Sequence, residues 1–235
     1  MYTYYQFDYM YFLLMIPAIL ISIFAQVKVQ STFRKYAKVR NSRNITGAEA
    51  ARQVLSRNGV NDVVIERVSG TLTDHFDPAA KVIRLSGDVY DSASVSAVGV
   101  ASHEAGHAVQ HAVGYAPILW REMLVPITRF SSRLSIPLIF IGLLLPTRWE
   151  FVVMIGIVLF SVAVLFELVT LPIELNASRR AIQAIDEADI LYGEELSGAK
   201  KVLSAAAMTY LAATLTSVIS LLRLILIVGG RRGDN

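Results

Sequence analysis

Residues 103–107, His-Glu-Ala-Gly-His, set two imidazoles four residues apart with a carboxylate directly after the first. On an α-helix four residues turn through about 400°, so both rings stand on one face and can share one tetrahedral ion. Glu104 is turned about 100° from His103, beside that ion. There it can take a proton from water and later pass it to a leaving amine. Short patterns of this kind also occur on ordinary helices whose His and Glu are solvated. The use of histidine argues against that reading here. The chain has four histidines; His103, His107 and His111 lie in one stretch, and His75 lies in the TLTDHFD segment shortly before it.

A catalytic zinc site needs three protein ligands and an open position. The chain has no cysteine, so a tightly held metal must use His, Asp or Glu, and disulfides are excluded. His111 continues the row, but it drifts about 40° from His107 and lies roughly 12 Å along the helix from His103. The extended pattern that recruits a third nearby histidine needs a glycine turn and longer spacing, which is absent. His111 therefore reads as a neighbour of the site, facing substrate or a ligand, or as a polar face residue. Glu167 and Glu174 are the other candidates. Glu167 sits within an apolar run, where an acid is costly and often functional. It could instead pair with Arg129 or Arg133. Glu174 follows the end of that run and returns to the face of the histidine helix once the run closes a membrane hairpin, which favours it as the third ligand.

The elements that must hold these residues are unusually apolar: 54% of the 235 residues are hydrophobic. Residues 9–27 carry no charge over nineteen positions, enough to span about 30 Å of hydrocarbon. No basic region precedes this run and a basic stretch follows it, so it reads as a retained anchor, kinked at Pro17, rather than a cleaved signal. Residues 134–147 can span only if their helix begins earlier, near Pro126, with Arg129 and Arg133 snorkelling or facing protein. Residues 151–172 and 202–222 complete a set of four. Residues 28–43 carry six positive charges and no acid, and Arg179, Arg180, Lys200 and Lys201 fall between the third and fourth runs. Both loops are thereby placed in the cytoplasm and the N-terminus outside. Arg231 and Arg232 dissent, because four spans would put them outside too. The net charge of +3 is explained by this topology, and no basic-aromatic interleaving suggests nucleic-acid binding.

The soluble part reads as a small α+β module. Thr46-Gly-Ala-Glu49 matches a capping box, opening a helix that ends near Asn58-Gly59. Residues 63–68, 71–77 and 81–86 read as strands, the last two around a turn at Asp77-Pro78. Ser92 is the expected cap of the histidine helix, and Gly114 its terminator.

Taken together, STFRKYAKVRNSRNITGAEAAR, GTLTDHFDPAAKVIRLS, GVASHEAGHAVQHA, ELVTLPIELNASRRA and AAAMTYLAA resemble the neutral zinc metallopeptidases of the YugP type, multi-pass bacterial membrane proteins. The resemblance covers nearly the whole chain. The layout is also similar to the HtpX and CAAX prenyl protease group, in which a downstream glutamate completes the zinc site in the gluzincin manner. It implies Zn2+ held by His103, His107 and Glu174, with Glu104 as the catalytic base. Gluzincins commonly carry an aspartate four residues after the ligand glutamate to orient a ligand histidine; here that position is Ser178, and Asn176 or Ser178 is placed to take that part. His75, His111, Arg179, Arg180 and Tyr210 are the donor types available to a tetrahedral oxygen or the substrate. His75 ranks first, because a strand just before the zinc helix is where such enzymes align an extended substrate.

The expected fold is thus an integral membrane, mainly α protein: a four-helix transmembrane bundle with a small zincin-like cytoplasmic module. Its parts are a first transmembrane segment at 1–28, the module at 29–121 and a transmembrane hairpin at 122–173. A cytoplasmic helix at 174–201 carries the third ligand, and 202–235 form the fourth segment and tail. The expected activity is peptide-bond hydrolysis at the cytoplasmic membrane surface, with protein or peptide substrates and the lipid bilayer as partners. A non-catalytic adaptor with a structural zinc site is the rival. It is disfavoured because structural sites usually have four protein ligands. A transporter is weaker still, since four spans with one buried acid offer little sign of a pathway.

Overall fold

The computed structural model describes residues 2–233, with side chains for 12–230 apart from residue 147. The side chains of Arg231 and Arg232 lie outside the described residues. The protein is mainly helical: α1 (Tyr2–Ala37), α2 (Gly47–Arg57), α3 (Gly87–Tyr90), α4 (Val95–Ala112), α5 (Ala116–Leu144), α6 (Glu150–Glu187) and α7 (Glu194–Gly233). Three strands, β1 (Val64–Val68), β2 (His75–Asp77) and β3 (Val82–Ser86), lie between α2 and α3. The chain forms two compact units. One draws on the N-terminal run to Phe24, on Leu119–Leu171 and on the chain from Tyr210; the other comprises Ala25–Ile118 and Pro172–Thr209.

The first unit is built from apolar helices. Among the described residues, four helices, α1, α5, α6 and α7, are long and apolar enough to cross a membrane. Small residues let two of them pack tightly: a Cβ on Gly156 would lie 2.8 Å from the Ile139 backbone nitrogen, and Gly142 meets the backbone of Val153. Close approach through small residues is how helices gain contact where lipid removes the hydrophobic drive. Ser22 Oγ and Thr216 Oγ1, 3.0 Å apart, add a hydrogen bond between α1 and α7.

Two expectations for these helices change. The second apolar helix starts at Ala116, well before Pro126, and holds both Pro126 and Pro137 inside it. Pro117 falls in its first turn, where a missing N–H forfeits no helical bond. Glu167 makes no ion pair with Arg129 or Arg133 among the described residues; both arginines are exposed, and one Glu167 oxygen is buried without a hydrogen-bond partner.

The second unit is the α+β module. Its helix α2 has the expected capping box: Thr46 Oγ1 accepts from Glu49 N, and Glu49 accepts from Thr46 N at 2.8 Å. The sheet order is β1-β3-β2, with β1 parallel and β2 antiparallel to β3. β3 is the central, most buried strand, and Ile83 and Leu85 join Val54, Val98, Ala105, Ile185 and Ile190 in one core. β2 is shorter than expected, because Leu72 takes a left-handed φ of 57° that an extended strand excludes. Asp74 then turns inward to accept from Ser86 N and Oγ.

The cap of α4 is Ser94, whose Oγ accepts from Ala97 N, rather than Ser92. The carbonyls of Ser92 and Ala93 accept from Gly47 N and Asn41 N, so that stretch is committed to neighbouring segments before the helix begins. The end of α4 is as expected. Gly114 has φ +62°; its N–H donates to His111 O while Tyr115 N donates to Gln110 O, a left-handed termination that favours glycine.

Thr46→Ala should lower stability by about 1 kcal/mol, read as a fall in the melting temperature of the detergent-solubilised protein. Hydrogen bonds from the Thr46 backbone and hydroxyl hold Glu49 below the usual carboxylate range. Its share of the stability is therefore present above the unfolded glutamate pKa and lost as pH falls through the folded one. The deficit of the variant should shrink on acidification in that window.

Candidate metal centre

Helix α4 presents small residues to its neighbours, and one of them controls how near α6 comes. A Cβ on Gly106 would sit 2.8 Å from the Ala177 carbonyl oxygen, so the two backbones touch there. On the other flank Gly99 faces Ala199 of α7 at 3.7 Å. Held this close to α6, His103 and His107 reach Glu174. Their Nε2 atoms lie 3.2 and 3.4 Å from Glu174 Oε2. The rings are 4.7 Å apart and nearly perpendicular. All three side chains are shielded, with exposures of 14, 11 and 5%.

The donor set suits zinc. Two imidazoles and a carboxylate offer ligand atoms within 4.8 Å of one another. The edges of a tetrahedron with zinc-to-ligand bonds near 2.0–2.1 Å are about 3.3 Å, close to both nitrogen–oxygen separations. Three ligands leave the fourth position open, as a catalytic site requires.

The far nitrogens of both rings are held as well. His103 Nδ1 pairs with Ser178 Oγ at 3.1 Å. His107 Nδ1 pairs with Gln110 Oε1 at 3.0 Å. Gln110 is fully buried, and its amide nitrogen donates to Ile173 O and Asn176 Oδ1, both at 2.9 Å. A backbone carbonyl only accepts, so the nitrogen end of Gln110 is fixed toward Ile173 and its oxygen must face His107. His107 Nδ1 is therefore the donor, and its Nε2 lone pair is free for a cation. Asn176 Oδ1 also accepts from Arg180 Nε at 2.8 Å, which ties α6 back on itself.

Burial opposes a charge on His107, but the hydrogen bond and charge of Glu174, with the charge of Glu104, outweigh it and raise its pKa. The centre thus attracts positive charge to the place where a cation would lie. Glu104 is itself buried on α4.

Among the described residues this is the one cluster of its kind, and neither His111 nor Glu167 belongs to it. His111 instead packs edge-on against Phe76 of β2, with ring centres 6.0 Å apart. His75 is exposed on β2, its Nδ1 2.8 Å from Thr73 O. Arg179 is exposed on α6, and Tyr210 is exposed on α7 in the other unit. Gln110 was missed by sequence reasoning. The available signal was its place three residues after His107, which sets it beside that ring on the helix.

The family profile described as "Putative neutral zinc metallopeptidase" matches residues 11–229. The chain is 47% identical over 226 residues to "Putative membrane protease YugP" of Bacillus subtilis (strain 168), covering 96% of this chain and 100% of that relative. No solved structure gives a significant match.

Gln110→Met should weaken zinc binding about 10–100-fold while leaving the fold intact, measured by competition with a chromogenic chelator. In the same titration Glu174→Ala should lose the metal, and Glu167→Ala and His111→Ala should keep it.

Proposed function

Since the chain belongs to the "Putative neutral zinc metallopeptidase" family, whose profile spans residues 11–229, we propose that it is a zinc-dependent membrane endopeptidase. It cleaves protein or peptide substrates at the cytoplasmic surface of the membrane. The observation that carries this reading is the convergence of His103, His107 and Glu174, with Glu104 one residue from the first of them. A protease role is also supported by the name of the 47% identical relative.

His103, His107 and Glu174 would hold a Zn2+ ion, which when bound would supply an activated water and polarise the scissile carbonyl. Glu104 accepts the proton released as that water attacks, and returns it to the amine that leaves. Ser178 and Gln110 fix the imidazoles so that both Nε2 atoms point inward. His75 shares the face of Arg84, opposite the Phe76 and Ile83 face that meets the core, so the edge of β2 rather than the His75 ring is the part a substrate would meet. The position of β2 at the edge of the sheet supports a substrate adding there by backbone hydrogen bonds. The contact of Phe76 with His111 puts that strand against the histidine helix.

The lysine and arginine bias of residues 28–43 and 179–201 supports a cytoplasmic site. The four apolar helices and a relative named a membrane protease support action at the bilayer.

Glu104→Gln should retain zinc at wild-type stoichiometry and lose about 10²–10⁴-fold in the rate of casein or peptide-library cleavage. A zinc-loaded variant cleaving at the wild-type rate would remove Glu104 from the mechanism.

A further inference from the structure

We propose that the groove between the C-terminal half of α1 and the N-terminal part of α7 binds the phosphate headgroup of an anionic phospholipid. The groove holds about 600 Å³ and is lined by Lys28 and Lys35 from α1 and by Lys200 and Lys201 from α7. No acid lines it, and none of the four lysines makes an ion pair among the described residues. Four like charges drawn from two helices repel one another unless an anion sits between them.

The spacing is that of two facing stripes. Lys28, Thr32 and Lys35 recur at i, i+4 and i+7 on α1; Ser197, Lys201, Ser204 and Met208 recur at i, i+4, i+7 and i+11 on α7. Each stripe mixes ammonium groups with hydroxyls, the donors that phosphate oxygens take. The floor is fixed by a close approach of the helices, since a Cβ on Gly198 would fall 2.6 Å from the Tyr36 ring.

Position along the chain selects a lipid phosphate over a free one. Lys28 directly follows the apolar run 9–27, and Lys201 directly precedes the apolar run 202–222. The groove therefore lies where both helices change from hydrocarbon-matching to charged sequence, the depth at which headgroup phosphates sit. Met208 and Ala205 at one end provide an apolar surface for the glycerol and the start of an acyl chain. A positive-inside signal alone needs charge near a helix end; it does not require lysines of two helices to share one groove.

Native mass spectrometry of the full chain in detergent, titrated with phosphatidylglycerol, phosphatidylcholine or inorganic phosphate, tests this without reference to proteolysis. Phosphatidylglycerol should bind at least about tenfold more tightly than phosphatidylcholine. Replacing all four lysines by glutamine should remove that preference, and replacing all four by arginine should keep it. Lys35→Gln with Lys201→Gln should give an intermediate loss, so the result does not depend on the fourfold variant folding. Equal binding of the two lipids, or an unchanged preference in the glutamine variants, would overturn the proposal. Displacement of phosphatidylglycerol by equimolar inorganic phosphate would overturn its assignment to a lipid.

Discussion

Two helix backbones come into contact at Gly106, where even a methyl group would press on the carbonyl of Ala177. That contact sets the separation of α4 and the C-terminal part of α6, and the separation decides whether Glu174 can reach two imidazoles at once. Nitrogen–oxygen separations of 3.2 and 3.4 Å leave little tolerance: an added ångström between the helices would open them past zinc geometry. The buried alanines of α4 and the Gln110 amide serve the same end. The first let neighbours close in, and the second pins α4 to α6 through the Ile173 carbonyl and the Asn176 side chain.

What could be read beforehand was local. The capping box at Thr46, the terminator Gly114 and the four apolar runs are written in short patterns whose physics involves few neighbours. The spacing of His103 and His107 is of that kind as well, because a helix alone brings them together. The strand order β1-β3-β2 and the shortening of β2 depended on distant partners and on the left-handed Leu72, which no alternation reveals. The start of α4 moved to Ser94 because carbonyls before it were claimed by Asn41 and Gly47, some fifty residues upstream.

The same distinction separates the clustered His103, His107 and Glu174 from the residues that hold them. The place of Glu174 beside the two histidines was accessible by reasoning about a hairpin and by resemblance. Gln110 was not, because a glutamine becomes an orienting group only when Ile173 and Asn176 fix which end of its amide faces the histidine. Glu167 illustrates the opposite failure. A plausible ion pair with an arginine of the same bundle does not form, since Arg129 and Arg133 face outward and the carboxylate keeps a buried oxygen unpaired.

Both groups that orient the imidazoles, the Ser178 hydroxyl and the Gln110 amide, are uncharged. Two neutral imidazoles, one carboxylate and a divalent cation sum to a single positive charge. An ionised Glu104 cancels it, and protonation of Glu104 restores it. An aspartate in place of Ser178 would have left the centre neutral at that second stage. With serine there, no second carboxylate lowers the charge around His103. A small hydroxyl in a supporting position thus fixes the ring of His103 while leaving the net positive charge of a bound cation undiminished.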